Sequence, residues 1–464
     1  MEAELVKSIE QANAQLAEAA PEWQSSISLA SFEKGVFSSK ARYRLIVPTT
    51  TGMAGTPPQA GAAPQTQEII IADRIDHGPF PLSRIASGGL TPVMATSNFE
   101  LERTESVSTW FDLTDGKSPM TGQASLGYGG AVDGHVSFEP VQYESATDAV
   151  KFSGLKLNFD VNADRTQSKV DGDIDLLSFR TVNEAQQPTT FEGKSIALTS
   201  NMRTMLVGKN DVTIKEISIA APGTDVQIRD YAQRMDLTEA DGKVAGTVAY
   251  EAGQIRIDGA DLASGQFVLR VANLDAAAVQ RLSEQYRALA VRAAQNPDED
   301  YEASETEQQA FMDAVLQSLA SNPSVSIDPF LVKTANGEGR FTLKVDLRKP
   351  VDPDMTLDSI TAQMISQLDA RLVLAKPMLA DLLAFQAISA GAPADTARQQ
   401  ATQQSDLIGT MGQQFGAARV DGQNIVSTLS YREGEVDFNG KKMPVEDFLG
   451  SLVSLALGGG MPLR

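Results

Sequence analysis

Cysteine is absent from the 464 residues, which removes disulfides, thiolate nucleophiles and thiolate metal sites from consideration. It leaves the compartment open, because cysteine-free chains occur in both oxidising and reducing surroundings. Histidine occurs only twice, at His77 and His135, so any chemistry that needs an imidazole must use one of these two. Aromatic residues make up 6% of the chain, and the interior is therefore built mainly from Val, Ile, Leu and Ala. Basic residues are in deficit. Lys and Arg number 39 against 60 Asp and Glu, a net charge of −21 that repels nucleic-acid phosphates and anionic headgroups. Nucleic acid is excluded as an expected partner, and the plainer meaning of the acidity is solubility. No run reaches the roughly 18 apolar residues that a membrane helix needs. The N-terminus also lacks the basic-then-apolar order of a signal peptide, so the chain as it stands reads as soluble.

What is present is patterning. A chain of this length predicts two or three structural units at roughly 100 to 200 residues each, and 42% hydrophobic with 21% charged residues is a globular balance. Leu5, Ile9, Ala12 and Leu16 fall at helical spacing before Pro21 and predict an amphipathic first helix. Strands are expected around 25–31 and 36–47, turning at Glu33-Lys34-Gly35. The stretch 49–67, rich in Thr, Gly, Pro and Ala, reads as a surface loop. Ile69, Ile70 and Ile71 then form a strand leading to His77-Gly78-Pro79-Phe80-Pro81.

From Pro92 to Val271 the dominant signal is alternation, as in Leu155, Leu157, Phe159 and Val161 against Lys156, Asn158 and Asp160. Turn signals recur at Asp115-Gly116-Lys117, Tyr128-Gly129-Gly130, Asp171-Gly172-Asp173, Pro222-Gly223-Thr224 and Asp241-Gly242-Lys243, too closely for helical crossovers. A mostly antiparallel meander follows, which must curl or be covered. Two helices are expected between Asp275 and Pro323, with the acidic break 296–300 between them. Strands resume with Phe341, Leu343, Val345 and Leu347. Helices are then expected from Pro377 to Ala384 and from Asp395 to Phe415, followed by a hairpin at Glu433-Gly434 and a last helix over 445–457.

The fold class read from this order is α+β, with long, curved, mostly antiparallel sheets packed with helices, including a central helical hairpin and a C-terminal helix. Three parts are expected: 1–275 as an N-terminal helix and β-meander domain, 276–322 as a helical hairpin connector, and 323–464 as a C-terminal α+β domain. A concave apolar sheet face is the expected place for a ligand.

Catalytic vocabulary is sparse. No Gly-x-Ser-x-Gly elbow occurs. Ser153-Gly154-Leu155-Lys156 has Ser-x-x-Lys spacing, yet it lies in an alternating strand where the two side chains would not share a helical face. Asp171, Asp173 and Asp175 match the first ligands of a calcium loop, but Leu176 stands where the loop glycine belongs and Val182 where the bidentate Glu belongs; a solvated strand is the plainer reading. No zinc helix, phosphate-binding loop or dinucleotide loop is found. His77 has the chemistry of a general base or pH sensor, but two prolines and a glycine around it point to a fixed turn. His135 follows another turn signal. The apolar C-terminal helix, with Phe448, Leu449, Leu452, Val453 and Leu455, reads as packed rather than membrane-seeking. No catalytic, metal-binding or cofactor-binding residue is nominated, and no cofactor is expected.

Several ordered stretches carry a resemblance. These are Asn13-Ala14-Gln15-Leu16, Glu33-Lys34-Gly35-Val36-Phe37-Ser38-Ser39, His77-Gly78-Pro79-Phe80-Pro81, Ala272-Asn273-Leu274-Asp275, and Tyr431-Arg432-Glu433-Gly434 with Phe438-Asn439-Gly440-Lys441-Lys442-Met443. Together they resemble the YdgA-like family of Gram-negative bacterial envelope proteins, a family of unknown function. The resemblance implies a periplasmic protein held to the inner membrane by an N-terminal anchor. The opening Met1-Glu2-Ala3-Glu4 leads straight into the first helix, which is compatible with a start placed after a removed anchor. The expected function is noncatalytic, namely binding of lipid or another apolar ligand in a sheet-lined groove. A scaffold or assembly role in the envelope, with an envelope protein or a second copy as partner, is one alternative. A hydrolase with an unrecognised carboxylate/His site is the other.

Overall fold

Alternation over a long run commits a chain to strands with one wetted and one buried face, and the computed structural model is built on such strands. It describes residues 2–19, 25–48, 66–86, 88–183, 185–204, 207–295, 304–350 and 363–456. The expected loop over 49–67 and the acidic break at 296–300 fall almost wholly outside these residues. The chain divides into two compact units: Met1–Val182 with Lys194–Met205 and Gln280–Asp313, and Asn183–Gly193 with Leu206–Val279 and Ala314–Arg464.

The first unit holds ten strands: β1 (Ser26–Glu33), β2 (Ser38–Pro48), β3 (Thr66–His77), β4 (Ala95–Leu101), β5 (Met120–Leu126), β6 (Val132–Phe138), β7 (Val141–Glu144), β8 (Ala149–Phe152), β9 (Leu155–Val161) and β10 (Ser168–Val182). Every pairing among them is antiparallel. β1 to β6 are sequential neighbours, β9 lies on β6, and β10 pairs with both β9 and β8, the last carrying β7. Register is continuous: Ala41, Asp73, Phe99, Gly122, Val136, Leu157 and Gly172 stand opposite one another in turn. One residue along, Lys40, Arg74, Asn98, Gln123, His135, Asn158 and Asp171 form the matching polar row on the other face.

Large side chains lie over neighbouring glycines in the apolar rows. A Cβ at Gly122 would stand 2.2 Å from the Phe99 ring, and one at Gly172 would stand 2.4 Å from Leu157. Asp171-Gly172-Asp173 is therefore not the turn its composition suggests but the interior of β10, where the missing side chain makes room for Leu157. The short helices that alternation did not announce are α2 (Leu82–Ala86) and α3 (Ser108–Leu113). α3 follows a single 3-10 turn at Glu105–Val107 and seats Val107 and Phe111 on Ile69 and Leu101. Removing a buried side chain of this size from water contributes about 1.5–3 kcal/mol. α1 (Glu2–Ala19) packs along β1. There the Asn13 amide bonds twice to the backbone of Ile27, accepting from its N–H and donating to its carbonyl, each at 2.7 Å. A side-chain amide thus takes the place of a neighbouring strand.

The strand β11 (Pro188–Thr204) contributes residues to both units. The second unit continues with β12 (Val207–Ala221), β13 (Thr224–Ala240), β14 (Lys243–Ile257), β15 (Ala260–Asp275), β16 (Ser324–Lys333), β17 (Glu338–Leu347), β18 (Ile365–Ala375), β19 (Arg419–Asp421), β20 (Asn424–Arg432), β21 (Glu435–Phe438) and β22 (Lys441–Pro444). β12 to β18 are antiparallel in sequence order. β20 lies on β18, with β19 and then β21 along its other side and β22 beyond. The turns Asp241-Gly242, Asp258-Gly259, Glu433-Gly434 and Asn439-Gly440 each place two successive residues at positive φ, the geometry that lets a two-residue hairpin follow the twist of its strands.

α4 (Ala276–Gln295) and α5 (Glu305–Ser318) stand where the two central helices are expected; their packing as a hairpin rests on residues outside those described. α6 (Lys376–Ser389) and α7 (Ala394–Gln414) pack on each other and on the sheet. The otherwise polar α7 buries Ala397, Ala401, Ser405 and Gly409, a four-residue spacing that keeps one narrow stripe against its neighbours. α8 (Val445–Ala456) sets the Phe448 ring 5.4 Å from that of Phe438, so Phe448 is part of a packed helix; Leu452, Val453 and Leu455 lie outside the described side chains. No described helix is long and apolar enough to cross a membrane.

A Cβ at Gly134 would come within 2.2 Å of the Gln123 carbonyl and 2.6 Å of the Phe159 ring. Gly134→Ala is expected to cost about 1–3 kcal/mol through overpacking, read as a lower urea midpoint with an unchanged m-value.

Candidate functional site

Two of the motifs that carry the family resemblance meet at one end of the first unit. Ser39, at the start of β2, and His77, at the end of β3, are 38 residues apart in sequence and 2.9 Å apart between Oγ and Nε2. The His77 N–H donates to the Phe37 carbonyl at 2.8 Å, and the N–H of Gly78 donates to Met94 at 3.2 Å. Met94 in turn donates to the Leu126 carbonyl at 2.7 Å. The β1–β2 turn, the His77 turn, the approach to β4 and the end of β5 are therefore stitched into one rim. Gly78 adopts φ +102, open to glycine and strained for other residues, and this sends Pro79 and Phe80 outward.

A Ser–His hydrogen bond is also the first requirement of nucleophilic catalysis. Here the other requirements fail. Ser39 is 1% exposed, and His77 Nδ1 has no partner among the described residues, so the third member of a nucleophile–base–orienter relay is missing among them. The pair acts as a clamp between two strand ends. His135 sits apart, mid-strand in β6 and facing Gln123 and Asn158 across the sheet. Burial and then the Lys156 charge hold its pKa below the usual histidine value.

The remaining sequence candidates sit in strand and turn contacts. Ser153 Oγ accepts from the Leu176 N–H at 3.0 Å, fastening the β8–β9 junction to β10, while Lys156 stands opposite Ser137 and Asp173. Asp171, Asp173 and Asp175 line the exposed face of β10, with Asp171 accepting from Asn158 at 2.8 Å. Among the described residues no group of three or more metal-ligating side chains converges. In the second unit, Asn273 caps the turn at Ser321 and Asn322, Asp275 accepts from the Ala278 N–H at the start of α4, and Asn439 bridges Thr428 and Gly416. These motif residues hold turns and helix ends.

What sequence reasoning missed is the surface that the clamp supports. Val36, Phe37, Phe80, Leu82, Leu90 and Tyr128 all project from this rim into solvent, Phe37 and Leu82 at 83% exposure each. Met94 and Ile85 are exposed beside them. The rim segments 35–37, 78–83, 85–94 and 126–131 contain no charged residue, in a chain where about a fifth of residues are charged; exposed Glu33 and Lys34 precede the first of them and Asp133 follows the last. Arg84, the one charge between them, is turned inward and bonds Asp133 and Thr91, each at 2.9 Å. Below the rim, Asp76 accepts from Ser83 at 2.8 Å and from Arg74 at 3.0 Å. The signal was present in the sequence as four short uncharged stretches, but they are separated by whole strands and only the meander brings them together.

Nearby, on the apolar face, Asp73 is buried and accepts from Ser97 at 2.7 Å and from Tyr43 at 3.2 Å. Burial pushes its carboxyl pKa up against the opposing pull of those hydroxyls, and the same burial, with the Asp73 charge, pushes the Tyr43 phenol up. A carboxylate whose folded pKa is raised contributes less stability as pH rises from the ordinary carboxylate range through the folded value. Asp73→Asn is expected to match the parent in acid and to exceed it in stability at neutral pH. Urea midpoints at pH 4 and pH 8 check this, and a pH-independent difference contradicts it.

Comparison with known proteins follows the same path as the motifs. Residues 1–446 match the family described as "Bacterial protein of unknown function (DUF945)". Over 472 aligned residues the chain is 28% identical to "Protein YdgA" of Escherichia coli (strain K12), covering 98% of this chain and 92% of that protein. It is 24% identical to "Uncharacterized protein YihF" of the same organism, over 91% of this chain and 87% of that one. A shorter match, 23% identical over 28% of the chain, is to an uncharacterized protein of Haemophilus influenzae that it covers for 33%. No solved structure matches. These matches bear out the resemblance carried by the ordered motifs.

Proposed function

Because the chain belongs to the family of bacterial proteins of unknown function designated DUF945, we propose a role from its own surfaces: a noncatalytic envelope protein of the periplasm that engages lipid through the rim around His77. The observation that carries this reading is the cluster of exposed Phe, Leu, Val and Tyr side chains on turns poor in charge. Large exposed apolar clusters mark interaction sites, and turns with few charges enter a headgroup boundary while stripping water from few ions. The aromatic tips suit that boundary, where an apolar ring meets water. The net charge of −21 repels anionic headgroups from the rest of the molecule, so approach by the neutral rim is the favoured orientation.

The lipid in this reading meets protruding turns rather than a groove, which refines the expected mode of binding. A hydrolytic role is disfavoured by the buried Ser39 and by His77 Nδ1, which has no partner among the described residues to complete a relay. Attachment to the inner membrane, as the family resemblance implies, belongs to the same proposal, the rim being a point of contact of its own.

Flotation with uncharged phosphatidylcholine vesicles tests the reading. The parent chain is expected to float at low and high salt alike. A Phe37→Ser, Phe80→Ser, Leu90→Ser variant is expected to lose at least about 100-fold in partitioning, since each buried side chain of this size is worth about 1.5–3 kcal/mol. Equal flotation of the variant, or none by the parent chain, overturns the proposal.

A further inference from the structure

The second unit holds a cleft of about 780 Å³ on the sheet formed by β15 to β21. It occupies the face opposite the helices: Met378 of α6 packs at Gly339, and Gly409 of α7 packs on Ile425, both on the other side of the sheet. Direct register fixes which residues share the cleft face. Arg270, Ser326, Lys344, Asp369, Ser430 and Asp437 stand opposite one another across six strands. The next row holds Thr342, Arg371 and Thr428. Arg419 stands opposite Val426, two residues from Thr428 and on the far side of β20 from Arg371.

Charge in the cleft is unevenly compensated. Asp328 is paired with Arg340 at 2.7 Å, Asp369 with Arg432 at 3.5 Å, and Lys344 with Asp346 at 3.0 Å. Arg270 donates to the Asp328 carbonyl. Arg371 and Arg419 line the cleft and have no hydrogen-bond or ion-pair partner among the described residues. Their Cα atoms are on the order of 12 Å apart, two strands and two residues removed, a span that two arginine side chains close around a single anion. The hydroxyls of Thr342, Thr428, Ser430 and Ser326 face the same space, likewise without a partner among the described residues.

We infer that this cleft is a binding site for a small hydroxyl-rich oxyanion, a sugar-sized molecule carrying a phosphate or carboxylate group. The guanidinium groups of Arg371 and Arg419 clamp the oxyanion, which such planar donors match in geometry. The row of hydroxyls takes the ligand's own hydroxyls. The volume lies within the range for small-molecule sites and far exceeds a bare phosphate. Four basic residues, Arg270, Lys344, Arg371 and Arg419, stand against three aspartates in the lining, so in an acidic chain these two arginines give an anion a local cationic contact. The charged and hydroxylated lining sets this cleft apart from the apolar groove expected from alternation. It lies in a different unit from the rim, and neither proposal rests on the other.

Isothermal titration of the full chain with glucose 6-phosphate, galacturonate, glucose and inorganic phosphate tests the assignment. Glucose 6-phosphate or galacturonate is expected to bind at least about 10-fold more tightly than both glucose and inorganic phosphate. Which of the two wins identifies the anionic group. Arg371→Gln with Arg419→Gln, both exposed positions, is expected to abolish the difference while leaving the thermal midpoint unchanged. Rim variants at Phe37 and Phe80 are expected to bind the sugars as the parent does. Absence of binding by both sugar anions, or equal binding by the arginine variant, overturns the inference.

Discussion

Strand register is the constraint on which the rest depends. In each unit the described strand pairings are antiparallel, and side chains alternate faces with a period of two, so a slip of one residue in a strand would exchange its two faces. In the first unit the row from Ala41 to Gly172 and the row from Lys40 to Asp171 differ by a single position, yet one is apolar and the other polar throughout except for Asp73. Glycines under Phe99, Phe159 and Leu157 lock that register sterically, because a large side chain can lie flat only where its neighbour has none. Both candidate surfaces are products of this bookkeeping: the rim collects strand ends, and the cleft collects rows.

Much of the architecture was legible from residues alone. Alternation at Leu155 to Val161 and Phe341 to Leu347 marks strands that the molecule contains. The Gly-containing turns at Asp241 and Glu433 close hairpins, and the helices after Asp275 and Lys376 begin where the period changes. The α+β class and the family follow from the same text. Asp171-Gly172-Asp173 misled because a turn and a glycine hollowed out for a cross-strand Leu157 have the same composition; only the partner strand distinguishes them. α2 and α3 escaped because helices of five and six residues are too short to impose a period.

The sites were far less legible, for a physical reason. His77 was conspicuous as a rare residue beside two prolines, but its partner Ser39 lies a strand and a loop away, and no local pattern links them. Val36, Phe80, Leu90 and Tyr128 are each unremarkable singly, since lone exposed apolar residues are normal on any surface. Arg371 and Arg419 come together only because β20 passes between their strands. In a meander, neighbours across the sheet are set by hairpin lengths summed over many turns, and that sum is not visible in a window of sequence.

The Asn13 amide that stands in for a strand at Ile27 gives α1 a role beyond covering apolar surface. A sheet that ends in an unmatched strand invites another chain to add itself, and repetition of that event is how filaments grow. With α1 in place, the first free peptide group on β1 is already spoken for by a side chain that cannot be extended into a further strand. The helix is thus a terminator for the sheet, and removing it would leave the peptide groups of Ile27 open to a strand from another chain.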